Sequence, residues 1–301
     1  MATGISALTA AELSNAAYVT AGYGGGAIPA GWVAPYGQDT DSSGNEAFTV
    51  FVNQSTSQVV IAFRGSSNLV NYESDLLNSG GSAWEAIKPV FQQALAQVQK
   101  DYPGYQIMTD GGSLGGGMAQ TAALEFNLSG YGQNSMPISS MAAADSEIQS
   151  QGGVTQAISN WSAAGNTFSE TNVQNDPATF LYSTIEKQTY LDTNPTTLTA
   201  PASVSPTSNS LVGILSAIAQ TAWQDHTGGT VVNLLSAQQN STSNSGSTSN
   251  SSSTSTSSTS SSPVTQLVQA MAAYAPSVAA HITPVLTGVE NVLAHLAAAL
   301  H

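Results

Sequence analysis

The chain has 301 residues, enough for one sizeable core with a small appendage, and 41% hydrophobic content to build it. Only 4 Lys+Arg stand against 18 Asp+Glu, a net charge of -14, so nucleic acid and anionic membrane surfaces are repelled and find few cations to pair with. Without cysteine there is no disulfide, thiolate metal site or cysteine nucleophile.

In chain order, residues 9–18 read as a short helix and Gly22 to Gly26 as a loop. The runs Phe48 to Val52 and Val59 to Phe63 are β-branched and aromatic, and the polar stretch Asn53 to Gln58 between them makes a hairpin. Just upstream, Asp39 and Asp41 imitate the start of a calcium loop, but its twelfth position is Val50, where a bidentate Glu is required. A polar turn is therefore expected there, and no metal.

From Ala83 to Lys100 apolar residues recur every three or four positions, as on an amphipathic helix. Tyr105 to Met108 follows as a strand, then the glycine-flanked Ser113, then a helix from Leu114 to Phe126. Further on, Ile138 to Ala144 reads as a strand, Val154 to Trp161 as a helix and Thr167 to Val173 as a third strand, an alternation that predicts an α/β fold with a mainly parallel sheet. Residues 193–209 read as a loop and Leu211 to Trp223 as an apolar helix, a core element or a lid over a substrate site.

Residues 240–262 are almost purely Ser, Thr and Asn, too polar to bury a core, and read as a linker. They divide a domain at 1–239 from a tail at 263–301 whose spacing predicts two amphipathic helices. No segment has the roughly 18 consecutive apolar residues of a membrane span. Met1 to Ala10 lacks the basic start and apolar stretch of a cleavable secretory signal. With the long Ser/Thr linker, this leads us to expect a secreted protein exported without a cleavable N-terminal signal, cytoplasmic residence being the alternative.

Gly111-Gly112-Ser113-Leu114-Gly115 fits G-x-S-x-G, in which a serine sits on a strained strand-to-helix turn and glycines let the neighbouring backbone pass. A helix starting after Ser113 aims its first free N–H groups, that of Leu114 foremost, at the place where a tetrahedral oxyanion would form. The segment Ile107 to Gly117 resembles the nucleophile segment of the class 3 (fungal-type) lipase family, within the α/β-hydrolase superfamily. One departure is Gly112, where those lipases commonly carry His. Upstream, Val60 to Ser66 is similar to the family's strand and oxyanion loop, which implies Ser66 as the second oxyanion donor; Arg64 there reads as structural, able to pair with a carboxylate such as Asp75.

A serine hydroxyl needs a base. His281, His295 and His301 lie beyond the linker, so His226, late in the first domain, is the candidate. The orienting acid must follow a later strand. Asp176, after the second strand beyond the serine, resembles the family's acid segment; Asp145 is its rival, while Asp192 and Asp225 read as surface charges. The resemblance covers residues 10–235 and implies a lipase or esterase acting on a small-molecule or lipid ester without a cofactor. The alternative is a hydrolase fold without activity, serving in binding or adhesion.

Overall fold

A computed structural model describes residues 4–20, 25–36, 38–40, 47–65, 81–173, 176, 189–199 and 228–244. Apart from Asn244 these belong to one compact unit. Ser66, Asp75, the helix expected at 211–223, His226 and the tail lie outside the described residues, as does most of the expected linker.

Seven strands form one sheet in the order in which they occur along the chain: β1 (Gln38–Thr40), β2 (Ala47–Asn53), β3 (Gln58–Phe63), β4 (Gln106–Gly111), β5 (Ser129–Gln133), β6 (Phe168–Val173) and β7 (Thr196–Leu198). The first three are antiparallel, and β3 to β7 run parallel. The expected hairpin is β2–β3, closed by Asn53, whose side-chain oxygen accepts from the N–H groups of Ser55 and Thr56 at 3.1 and 3.2 Å.

Helices cover both faces. On one side lie α2 (Gly81–Asp101), α3 (Leu114–Glu125), α4 (Ser139–Ala144), α5 (Ser146–Ser150) and α6 (Val154–Ala163). Their core joins Trp84, Phe91, Met118 and Trp161 to Phe48, Phe63 and Phe168 of the sheet. Phe63 anchors it, with ring centroids 5.3 Å from Phe91 and 5.7 Å from Phe48. Against the other face lies α1 (Ala7–Thr20), whose Leu13, Ala16 and Ala17 pack on Phe51, Val60 and Met108. There too α7 (Gly228–Asn244) sets Val231 and Leu235 against Ala11, Val173 and Leu198.

Two expectations are corrected. Ile138 to Ala144 is not a strand: Ser139–Ala144 is helical, and the buried Ile138, Met141 and Ala142 fit a helical repeat. The strand after α3 is instead β5, Ser-Gly-Tyr-Gly-Gln, in which Tyr131 is the one strand-favouring residue. Its glycines answer to close neighbours, since a Cβ on Gly130 would overlap the Thr109 side chain and one on Gly132 the Glu170 carboxyl and Ser135 hydroxyl. The stretch 193–209 also contains β7, and α7 runs into the Ser/Thr/Asn tract as far as Asn244.

Candidate active site

Register sets the site's location. Phe63 pairs with Gly111, Gln133 with Thr171 and Val173 with Leu198, so β3 to β7 end along one edge, where open α/β sheets bind ligands. Between β4 and α3 stands Ser113, with φ 58° and ψ −128°, a conformation L-residues rarely hold. It is only 6% exposed, and its hydroxyl has no hydrogen-bond partner among the described residues.

Neighbouring backbone passes tightly. A Cβ on Gly115 would overlap the Phe63 carbonyl and lie 2.8 Å from the Arg64 carbonyl carbon, and one on Gly111 would overlap Gly115. The chain leaving β3 crosses the elbow at Gly65, where an added Cβ would stand 2.6 Å from the Gly112 oxygen and 3.1 Å from the Ser113 Cβ. Gly65 donates its N–H to the Tyr18 hydroxyl of α1 at 3.0 Å. Burial pushes the Tyr18 phenol up, outweighing the Gly65 N–H and the charge of the fully buried Arg64, both of which favour the phenolate.

The serine backbone is held from both sides by the turn after β5. Ser113 donates its N–H to the Gln133 carbonyl at 3.0 Å, and the Ser113 carbonyl accepts from Met136 N–H at 3.0 Å. That turn also grips β6: Asn134 N–H donates to the Thr171 carbonyl at 3.1 Å, and its side-chain oxygen accepts from Val173 N–H at 2.7 Å. Three residues beyond Val173 is Asp176, fully buried, its N–H donating to the Val173 carbonyl at 3.1 Å.

Sequence reasoning passed over two buried carboxyls nearby. Asp110, three residues before the serine, accepts from Gly111 N–H and the Gln133 side chain, both at 2.9 Å, and burial pushes it well above the usual carboxylate range. Glu170 on β6 accepts from Ser135 N–H at 2.9 Å and is raised to about 8, chiefly by burial. A signal existed for both, because charged side chains inside otherwise buried parallel strands are rare unless partnered.

Asp145 is engaged elsewhere. It caps α5 through Ile148 N–H at 2.9 Å and accepts from Trp84 Nε1 at 2.8 Å and Lys88 Nζ at 2.7 Å. Lys88 also meets Glu125 at 3.1 Å, and Glu147. The three carboxylates Glu125, Asp145 and Glu147 cluster closely enough to ligate an ion, but the Lys88 ammonium supplies the cation there. At the calcium-like stretch, Asp39 pairs with Phe48 in β1–β2 and Val50 is buried in β2; Asp41 lies outside the described residues.

A mainly parallel sheet covered by helices on both faces, with a strained serine at a strand-to-helix corner, is an α/β-hydrolase architecture. No family model matches the chain. No curated protein matches it. Among solved structures it is similar to a mutant form of MDLA from Penicillium cyclopium, at 21% identity over 66% of this chain and 80% of that one, with a TM-score of 0.46. It is also similar to a lipase from Rhizopus microsporus var. chinensis (14% identity, 57% and 66% covered, TM-score 0.44). A third is a triacylglycerol lipase from Penicillium expansum (19% identity, 58% and 71% covered, TM-score 0.42). No helix among the described residues is long and apolar enough to cross a membrane.

Proposed function

We propose that the chain is a serine hydrolase of carboxylic esters, related through its elbow and β3-end motifs to the class 3 lipases. The observation that carries this is Ser113 itself, held in a strained conformation at the C-terminal edge of the sheet with its hydroxyl unbonded among the described residues. As Ser113 Oγ bonds to the ester carbonyl carbon, His226 takes its proton and passes it to the departing alkoxide. An acyl-enzyme remains. A water that gives its proton to His226 then attacks the acyl carbon, and the proton returns to Ser113 as the acid leaves.

Three placements support the remaining roles. Gly65, the residue before Ser66, abuts the Ser113 Cβ, which favours Ser66 as oxyanion donor with the Leu114 N–H. Gly228, two residues after His226, packs on Asn15 of α1, and the adjacent Ser14 faces Gly112. Val231 of the same helix packs with Val173, close in sequence to Asp176, and Asp145 is engaged by Trp84 and Lys88 of α2 and by Ile148 N–H of α5, so we assign Asp176 as the acid that orients His226.

Labelling with a fluorophosphonate tests the assignment. Wild type is expected to be captured covalently, Ser113→Ala not at all, and both His226→Ala and Asp176→Asn to label about 10²- to 10⁴-fold more slowly. Asp145→Asn in its folded form is expected to stay within about twofold of wild type. A wild-type chain that resists the probe would instead favour a binding or adhesion role.

A further inference from the structure

Glu170 is buried on β6, one strand removed from the serine's nearest neighbour β5, and nothing in the reaction requires it to touch substrate. Its carboxyl reaches back over Gly132 and accepts the Ser135 N–H at 2.9 Å. Ser135 is the middle of the turn whose two ends, Gln133 and Met136, bond the N–H and the carbonyl of Ser113 at 3.0 Å each. We propose that Glu170 is a positioning residue for Ser113, fixing the turn after β5 so that the serine is kept in its strained, forward-facing conformation.

The inference rests on the reading of Ser113 as nucleophile and adds a residue to it. A backbone held at φ 58° relaxes unless its surroundings fix it. Two bonds from one short turn fix Ser113 beside the helical bond that its carbonyl accepts from Gly117 N–H at 3.2 Å, so whatever anchors that turn helps set where the hydroxyl points. Gln120 holds the turn from α3, donating to the Met136 carbonyl at 3.1 Å, and Glu170 holds it from the sheet.

Charge decides when the anchor holds. The groups facing Glu170 are Asp110 from β4, Asp176 after β6, and Asp192 and Tyr190 from the segment before β7; Asp192 also accepts the Glu170 N–H at 2.8 Å. All are acidic, and none offers a cation. Burial first, and then the Asp192 and Asp176 carboxyls, disfavour charge on Glu170 and outweigh the Ser135 bonds that favour it, so ionisation strains the turn that Glu170 anchors.

The test uses the full chain as wild type, Glu170→Gln and Glu170→Ala, with fluorophosphonate rates followed from about pH 6 to about pH 10. Glu170→Gln keeps an acceptor for Ser135 N–H, so its rate at neutral pH is expected to match wild type, while the wild-type decline above about 8 disappears. Glu170→Ala is expected to lose about tenfold or more in rate, with KM for a nitrophenyl ester changed less than about twofold. Amide hydrogen exchange across residues 133–136, corrected for intrinsic rates, should speed up in Glu170→Ala. An unchanged rate and unchanged exchange in folded Glu170→Ala would overturn the proposal, as would a Glu170→Gln profile that declines like wild type. The second of these decides the matter if the alanine variant does not fold. Failure of the nucleophile reading looks different: wild type is unlabelled at every pH, and exchange alone then judges whether Glu170 anchors the turn.

Discussion

At Ser113 the sequence motif and the backbone agree because the constraint is local. The glycines of Gly111-Gly112-Ser113-Leu114-Gly115 are not equivalent, however. A Cβ at position 115 meets three backbone atoms of the β3 end that have no freedom to move, whereas one at position 112 meets the Gln133 oxygen at 3.4 Å and Ser14 Oγ at 3.5 Å, ordinary contact distances. Gly115→Ala is therefore expected to destabilise the fold by about 1–3 kcal/mol and to lose most fluorophosphonate labelling. Gly112→Ala should unfold within about 0.5 kcal/mol of wild type. Denaturant unfolding of the two variants beside labelling rates checks this, and equal losses from both would contradict it. The same contacts bear on the departure from the lipase pattern, since the backbone at Gly112 leaves room for a Cβ.

Among elements, those with a repeat of their own were legible and those shaped by neighbours were not. The hairpin β2–β3 and the long α2 follow from side-chain period, and the strand, elbow and helix around Ser113 from the G-x-S-x-G motif in its place between an apolar run and a helix-forming one. Strand β5 escaped because its glycines record what lies against them, and α4 was mistaken for a strand because six residues from Ser139 are too few to establish a period. Asp176 nevertheless still follows the second strand beyond the elbow, since one misplaced strand replaced another. The cluster around Lys88 was likewise invisible, as its carboxylates come from α3, α5 and the start of α5. Burial opposes the Lys88 charge, but its bonds to Asp145, Glu147 and Glu125 outweigh this and hold it above the ordinary lysine range. Lys88→Met would leave the fully buried Asp145 without its cation, and breaking a buried pair from one side costs about 3–5 kcal/mol. Urea unfolding measures this loss. A change below about 1 kcal/mol would mean that the cluster behaves as an exposed ion pair.

Over the whole molecule, acidity reaches the interior as well as the surface. Of the four basic residues, Arg64 and Lys88 are buried and Lys100 is exposed, with Lys187 outside the described residues, so buried carboxyls have few cations to meet. Glu125 and Glu170 are each raised from 4.5 to about 8, chiefly by burial, and Asp110 is raised well above 3.8 for the same reason. Between about 4.5 and about 8 the folded chain keeps protons at these glutamates that the unfolded chain releases. Stability must then fall as pH rises through that window, by up to about 1.4 kcal/mol per pH unit for each group. Asp145 is shifted the other way: burial opposes its charge, but Lys88, Ile148 N–H and Trp84 outweigh burial and lower it below 3.8, so its contribution is lost as pH drops further. The two trends cross in acid solution, between the 3.8 from which Asp145 is lowered and the 4.5 from which the glutamates are raised, so maximum stability is expected at about pH 4, with a decline towards neutrality that the net charge of -14 reinforces. Urea midpoints measured from about pH 4 to about pH 9 should trace this curve, and the double variant Glu125→Gln with Glu170→Gln should flatten its descending limb. A stability that rises between pH 5 and pH 8 would mean that these carboxyls are ionised in the folded chain and that the interior holds their charge.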